Sequence, residues 1–310
     1  MTPRERAILA LDLNQPDEVP TFELAFQLTE EVFGQDYNKG EIWKGKTEKE
    51  RERMAEENAS LYIKVAERYN YSIIMETYAP TTEDIILTIK KIREASRDKY
   101  LLICHGDATY AIPPGDKMVE FIYALHDRKE EMKEKAQRMV DEALERGRKL
   151  VDNGIDGFAL CADYCFNTGP FLSPAMFKEF ITPYLEQLIQ GYRKMGVYVI
   201  KHTDGNIMPI IDQLVECGPH AIHSLDPMAG VDIAEVKKKY GDKVCLIGNV
   251  NCALLQTGTR EEILESCRYA MENGKPGGGY IFSTSNCVFK GVPLENYELM
   301  MDYYEKNKKY

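Results

Sequence analysis

Eight short apolar runs, separated by longer amphipathic segments, recur along nearly the whole chain, and no other feature limits the fold so strongly. The runs occupy residues 19–26, 71–78, 100–104, 157–161, 197–200, 221–225, 244–248 and 279–283, and each reads as a strand. Charged, periodic segments between them read as helices over 48–68, 82–94, 128–151, 173–195, 259–273 and 295–307. Thr47-Glu-Lys-Glu50 and Thr259-Arg-Glu-Glu262 are capping-box patterns at two helix starts, and Ser173-Pro174 marks a third. Strand–helix alternation builds a parallel sheet wrapped by helices. Eight repeats over 310 residues predict an α/β fold, a (β/α)₈ TIM barrel with an N-terminal extension, in a single domain over 1–310. An open doubly wound sheet is the alternative, weakened because no Gly-x-Gly-x-x-Gly follows the first strand.

Composition narrows the partners. The chain carries 50 acidic against 39 basic residues, which disfavours nucleic acid and anionic membranes. No apolar run approaches the roughly 18 residues of a bilayer span. The charged N-terminal stretch Met1-Thr-Pro-Arg-Glu-Arg6 does not read as a secretory signal. The eight cysteines include no Cys-x-x-Cys, so reduced thiols in a cytoplasmic protein are expected.

In such a barrel, reacting groups gather where the strands end. Those ends present Glu23; Glu76 and Tyr78; His105 and Asp107; Asp163 and Tyr164; His202 and Asp204; His223 and Asp226; Asn249; then Asn286 and Cys287. His202 and Asp204 alternate on one strand and should share a face. The mouth is acidic, with little positive charge beyond Lys201 and Lys290. That balance suits a metal ion, or a neutral or cationic small molecule handled by carboxyls of raised pKa. It opposes a polyanionic substrate. The catalytic candidates are His202, Asp204, Asp163 and Glu76. The substrate-binding candidates are Glu23, Tyr78, His105, Asp107, Tyr164, His223, Asn249 and Asn286. As a bland alternative, several of the carboxylates only cap the helices that follow their strands.

The segments Ser173-Pro-Ala-Met-Phe-Lys-Glu-Phe-Ile-Thr-Pro-Tyr184, His202-Thr-Asp-Gly205, Leu246-Ile-Gly-Asn-Val-Asn251 and Pro293-Leu-Glu-Asn296 resemble the uroporphyrinogen decarboxylase superfamily. So do Thr2-Pro-Arg-Glu-Arg6 and Pro16-Asp-Glu-Val-Pro20. The resemblance spans nearly the whole chain and implies a (β/α)₈ barrel. The superfamily includes the haem-pathway decarboxylase and methyltransferases that serve a cobalamin carried on a separate corrinoid protein. The decarboxylase places arginines after its first strand, whereas Pro20-Thr-Phe-Glu-Leu-Ala-Phe-Gln-Leu-Thr29 has none. The resemblance therefore implies the methyltransferase branch, acting on a methoxylated or methylamine-type compound, with a homodimer as the assembly. A decarboxylase or lyase of a less anionic substrate is the alternative. The zinc methyltransferases of this superfamily carry His-x-Cys at the fifth strand and a second Cys near the eighth. Here Asp204 replaces the first Cys and Cys287 lies near the second, so zinc on His202, Asp204 and Cys287, or no metal at all, are both open. The corrinoid motif Asp-x-His-x-x-Gly is absent, so the cobalamin would come on the partner.

Overall fold

The structure, a computed structural model, describes residues 1–310. Seven parallel strands form one curled sheet: β1 (Ile73–Glu76), β2 (Leu101–His105), β3 (Gly157–Leu160), β6 (Tyr198–His202), β7 (Ala221–His223), β8 (Cys245–Ile247) and β9 (Tyr280–Ile281), hydrogen-bonded in that order. A two-residue hairpin, β4 (Cys165–Phe166) with β5 (Gly169–Pro170), lies after β3. The sheet strands are buried almost throughout, as parallel strands between helices must be, and their residues are correspondingly apolar.

The first apolar run, 19–26, is not a continuous strand but closes the ring. Phe282 N–H donates to Pro20 O (2.9 Å) and Ser72 N–H to Thr21 O (2.8 Å), so this segment bonds to both free edges of the sheet. Thr21 pairs in parallel with Phe282, and its hydroxyl donates to Phe282 O at 2.7 Å. Pairing resumes only at Phe26 and Val288. Pro20 has no N–H to give, which interrupts the ladder.

The expected helices at 48–68, 82–94, 128–151, 259–273 and 295–307 appear as Glu48–Arg68, Thr82–Ser96, Lys129–Val151, Arg260–Gly274 and Leu294–Asn307. The capping boxes at Thr47/Glu50 and Thr259/Glu262 are both formed. The single helix expected from Ser173 is instead two, Pro174–Phe180 and Thr182–Lys194. Pro183 is the cause: it lacks an N–H, and its ring would collide with the carbonyl one turn back. The N-terminal helix Pro3–Leu11 covers the end of the barrel where strands begin. Arg4 there pairs with Asp156 just before β3 (2.8 Å), and Arg4 N–H donates to Lys99 O just before β2 (3.0 Å).

One cluster of 89 buried residues runs from Ala7 to Tyr304. All eight cysteines are free thiols. No helix is long and apolar enough to cross a membrane.

Candidate active site

The core of the site follows from strand register. β6 and β7 are parallel, and His202 is the register partner of His223. In-register residues on neighbouring strands face the same side, so the two rings meet, with Nδ1 to Nδ1 at 2.7 Å. His202 Nε2 then points toward two carboxylates: Asp204 Oδ1 is 3.6 Å away and Asp163 Oδ1 is 3.9 Å away. Burial, then the neighbouring His223, hold His202 well below the usual imidazole range. Burial likewise pushes His223 down to about 3. Both rings are neutral at physiological pH.

Asp204 lies just past the end of β6. Its N–H donates to Asp163 Oδ1 (3.0 Å), Ser224 Oγ–H donates to its Oδ1 (3.0 Å), and Asn286 Nδ2 donates to its Oδ2. Burial, and secondly the charge of Asp163, push the Asp204 carboxyl up to about 7, while its bonds to Ser224 and Asn286 oppose that rise. A charged His202 would have pulled it down. Ser224 has φ 88° and Leu225 φ 48°, uncommon for residues with a Cβ. This backbone aims the Ser224 hydroxyl at Asp204 and the Leu225 carbonyl at Asn249 Nδ2 (2.9 Å).

The turn after Asp204 depends on Gly205, at φ +82°. A Cβ there would sit 2.6 Å from Cys165 O and 2.7 Å from Phe166 O of the hairpin. Gly205→Ala combines a left-handed backbone with a backbone clash, and should cost about 2–4 kcal/mol and displace Asp204. A thermal melt and an activity assay on the variant check both.

Glu23 reaches the same cluster from the barrel seam. It is buried at 4% exposure, and that burial pushes it up to about 8. Its carboxyl accepts from Thr284 N–H (3.1 Å), Thr284 Oγ–H (2.5 Å) and Ser283 Oγ–H (3.1 Å). Ser283 Oγ is also 3.4 Å from His223 Nε2.

The structure thus gathers Asp163, His202, Asp204, His223 and Asn286, with Glu23 and Asn249 attached behind them. Other candidates lie elsewhere. Asp107 is committed to the scaffold: it takes Lys201 Nζ (2.9 Å), Thr109 N–H and Oγ–H (2.9 and 2.7 Å) and Ala162 N–H (2.9 Å). Tyr164 bonds Thr109 Oγ at 2.5 Å, and Lys201 sits over its ring at 4.1 Å. Tyr78 stacks on Tyr37 at 4.5 Å. His105 is exposed at the end of β2, and its carbonyl accepts from Arg146 Nη1 at 2.9 Å. Glu76 is buried and pushed up to about 7 by that burial. Its Oε1 accepts from Tyr78 and Ala79 N–H (3.1 and 2.9 Å), and its Oε2 has no partner. None of its hydrogen bonds reaches the His202 cluster. Ser224, Ser283 and Thr284 carry much of the polar framework and were not singled out from the sequence. Their one signal is that each is a hydroxyl in the last two positions of an apolar run or just beyond it.

Asp163, His202 and Asp204 each offer a ligand atom, all within 4.8 Å of one another. That nitrogen-and-two-oxygen set suits a divalent cation. The thiolate set implied by resemblance does not fit. Residue 204 is a carboxylate, and Cys287, expected as the third ligand, is outside the cluster. Asp163 stands in its place because β3 and β6 are adjacent in the sheet. Burial also pushes the Cys287 thiol up to about 12.

A uroporphyrinogen decarboxylase of Pseudoalteromonas translucida is 28% identical over 138 residues, 41% of this chain and 36% of that one. One from Legionella pneumophila is 29% identical over 140 residues, 43% and 37% respectively. The chain therefore spans well under half the length of these curated relatives. A solved methyltransferase from Methanosarcina mazei superposes with a TM-score of 0.78 over 99% of both chains at 16% identity, a likeness of fold. The sequence model of the family described as uroporphyrinogen decarboxylase (URO-D) matches residues 107–306, a stretch that holds Asp163, His202 and Asp204, and the chain belongs to that family.

Proposed function

We propose that this protein is a methyltransferase of a corrinoid-dependent system. It moves a methyl group between a small methoxylated or methylamine-type compound and the cobalamin of a separate corrinoid protein. The observation that carries this reading is Asp204, a carboxyl that holds its proton near neutral pH beside a neutral His202. Methyl transfer from oxygen or nitrogen leaves charge on the departing atom, and a positioned acid of pKa near the working pH is the group that neutralises it. The corrinoid, when docked, supplies the nucleophile toward the methyl carbon. Asp204 holds the proton for the leaving atom on Oδ1 or Oδ2, and Ser224 and Asn286 fix the direction of the carboxyl. His202, being neutral, forms no ion pair that would strip Asp204 of that proton. Asp163, His202 and Asp204 are the residues that would hold a divalent cation, which would there supply Lewis-acid polarisation of the same atom. The full-length fold likeness to a chain named methyltransferase supports the reading. So does Pro20 to Thr29, which offers no arginine to grip a polycarboxylate.

The purified protein, mixed with reduced cobalamin or its cognate corrinoid protein and methoxylated or methylamine donors, should form methylcobalamin. No transfer from any such donor in the presence of the cognate corrinoid protein would overturn the proposal. Carbon dioxide release without cobalamin would instead favour a lyase, the activity named for the curated relatives.

A further inference from the structure

A continuous buried path links the barrel seam to the mouth. It runs from Glu23 Oε2 to Ser283 Oγ (3.1 Å), from there to His223 Nε2 (3.4 Å), and from His223 Nδ1 to His202 Nδ1 (2.7 Å). Glu23, Ser283, His223 and His202 are at most 6% exposed, so water does not reset the polarity of these bonds. A neutral imidazole carries one N–H and one bare nitrogen. An Nδ1–Nδ1 bond therefore leaves two arrangements, according to which ring donates.

We infer that Glu23, in its ionised form and acting through Ser283 and His223, fixes the tautomer of His202 in which Nδ1 carries the proton and Nε2 faces Asp163 and Asp204 bare. An ionised carboxyl only accepts. Ser283 has one hydroxyl proton and gives it to Glu23, so its oxygen accepts from His223 Nε2–H. His223 Nδ1 is then bare and accepts from His202 Nδ1–H, which leaves His202 Nε2 without a proton. The opposite arrangement needs Ser283 to give its proton to His223, and hence Glu23 to supply a donor. Asp163 and Asp204 pull the other way, but at 3.9 and 3.6 Å from Nε2 they are beyond hydrogen-bond distance. The Glu23 end is held by three donors at 2.5–3.1 Å.

The tautomer decides what the mouth can do. A bare Nε2 can take a cation, whereas an Nε2–H cannot. Glu23 and Ser283 are thus positioning residues acting through His223. The consequence for turnover rests on the methyltransferase reading, but the tautomer itself does not.

The test is ¹⁵N NMR of the full chain with ¹⁵N-labelled histidine, recorded above the pH of about 8 to which burial lifts Glu23. His202 should show a protonated Nδ1 and a bare Nε2. In Glu23→Gln the carboxamide N–H can donate to Ser283, the relay reverses, and His202 should show Nε2–H. Ser283→Ala cuts the relay with a smaller change to the seam, and should give a mixture of the two tautomers. An Nε2–H in the unsubstituted protein, or the same His202 tautomer in all three proteins, would overturn the inference. Because the readout needs no substrate, failure of the methyltransferase reading leaves it interpretable.

Discussion

Asp204→Asn is expected to lower kcat by about 10²–10⁴-fold, the range contributed by a positioned general acid, while the protein stays folded. Asparagine matches the aspartate in shape and can still accept from Ser224 on one oxygen. Its amide has no acid proton for a departing atom. The pH profile separates this loss from a merely structural one. Burial and Asp163 lift Asp204 to about 7, and an acid works only when protonated. Turnover should therefore be full below about 7 and fall as pH rises through that value. The residual rate of the variant should lack this limb. Steady-state kinetics across that interval, with a thermal melt to confirm folding, make the measurement. A variant with the original rate and pH profile would remove Asp204 from the chemistry. Metal analysis completes the comparison: a stoichiometric divalent ion lost in His202→Ala would move the activating role from the proton to the cation.

Much of the architecture was legible because it rests on local pattern. Helices with a capping box, such as Glu48–Arg68, announce their starts within four residues, and seven of the eight apolar runs contain strands of the sheet. The first run misled because its pairing is set by Pro20 and by two distant partners, Ser72 and Phe282. The site was legible where one strand carries it. His202 and Asp204 point to the same side, 3.6 Å apart, as alternation predicts. What the sequence cannot express is register between strands. That His202 sits level with His223, and Asp163 rather than Cys287 beside it, follows from how β3, β6 and β7 align. Asp107 read as a mouth carboxylate because nothing local shows that Lys201, 94 residues away, reaches it.

Lys201→Met should destabilise the protein by about 3–5 kcal/mol, the cost of breaking a buried pair from one side. Lys201 is fully buried on β6, and its ammonium has three partners: Asp107 Oδ2 (2.9 Å), Leu160 O (3.2 Å) and Ala162 O (2.9 Å). Methionine fills similar volume, so the loss is electrostatic rather than a cavity. It leaves Asp107 ionised in the barrel wall and two carbonyls without a donor. Burial alone would raise the Asp107 carboxyl, but the Lys201 charge and hydrogen bond, with Thr109 and Ala162, bring it below its ordinary value. A lowered carboxyl contributes stability that is present above its unfolded pKa and lost as pH falls through the folded one. Without Lys201 that contribution disappears, so the deficit should be largest near neutral pH and shrink in acid, where Asp107 is protonated in both proteins. Adding Asp107→Asn should recover part of the loss, because it removes the stranded charge. Chemical denaturation of the two single variants and the double variant over that pH range measures the coupling. The consequence reaches the site as well. Lys201 ties the β2 exit to the carbonyls of Leu160 and Ala162, which hold the segment carrying Asp163. Asp163 in turn receives the Asp204 N–H at 3.0 Å. Lys201→Met should therefore lose turnover beyond what its residual folded fraction explains, and the double variant, which restores no tie between β6 and the 160–163 segment, should regain stability without regaining that activity.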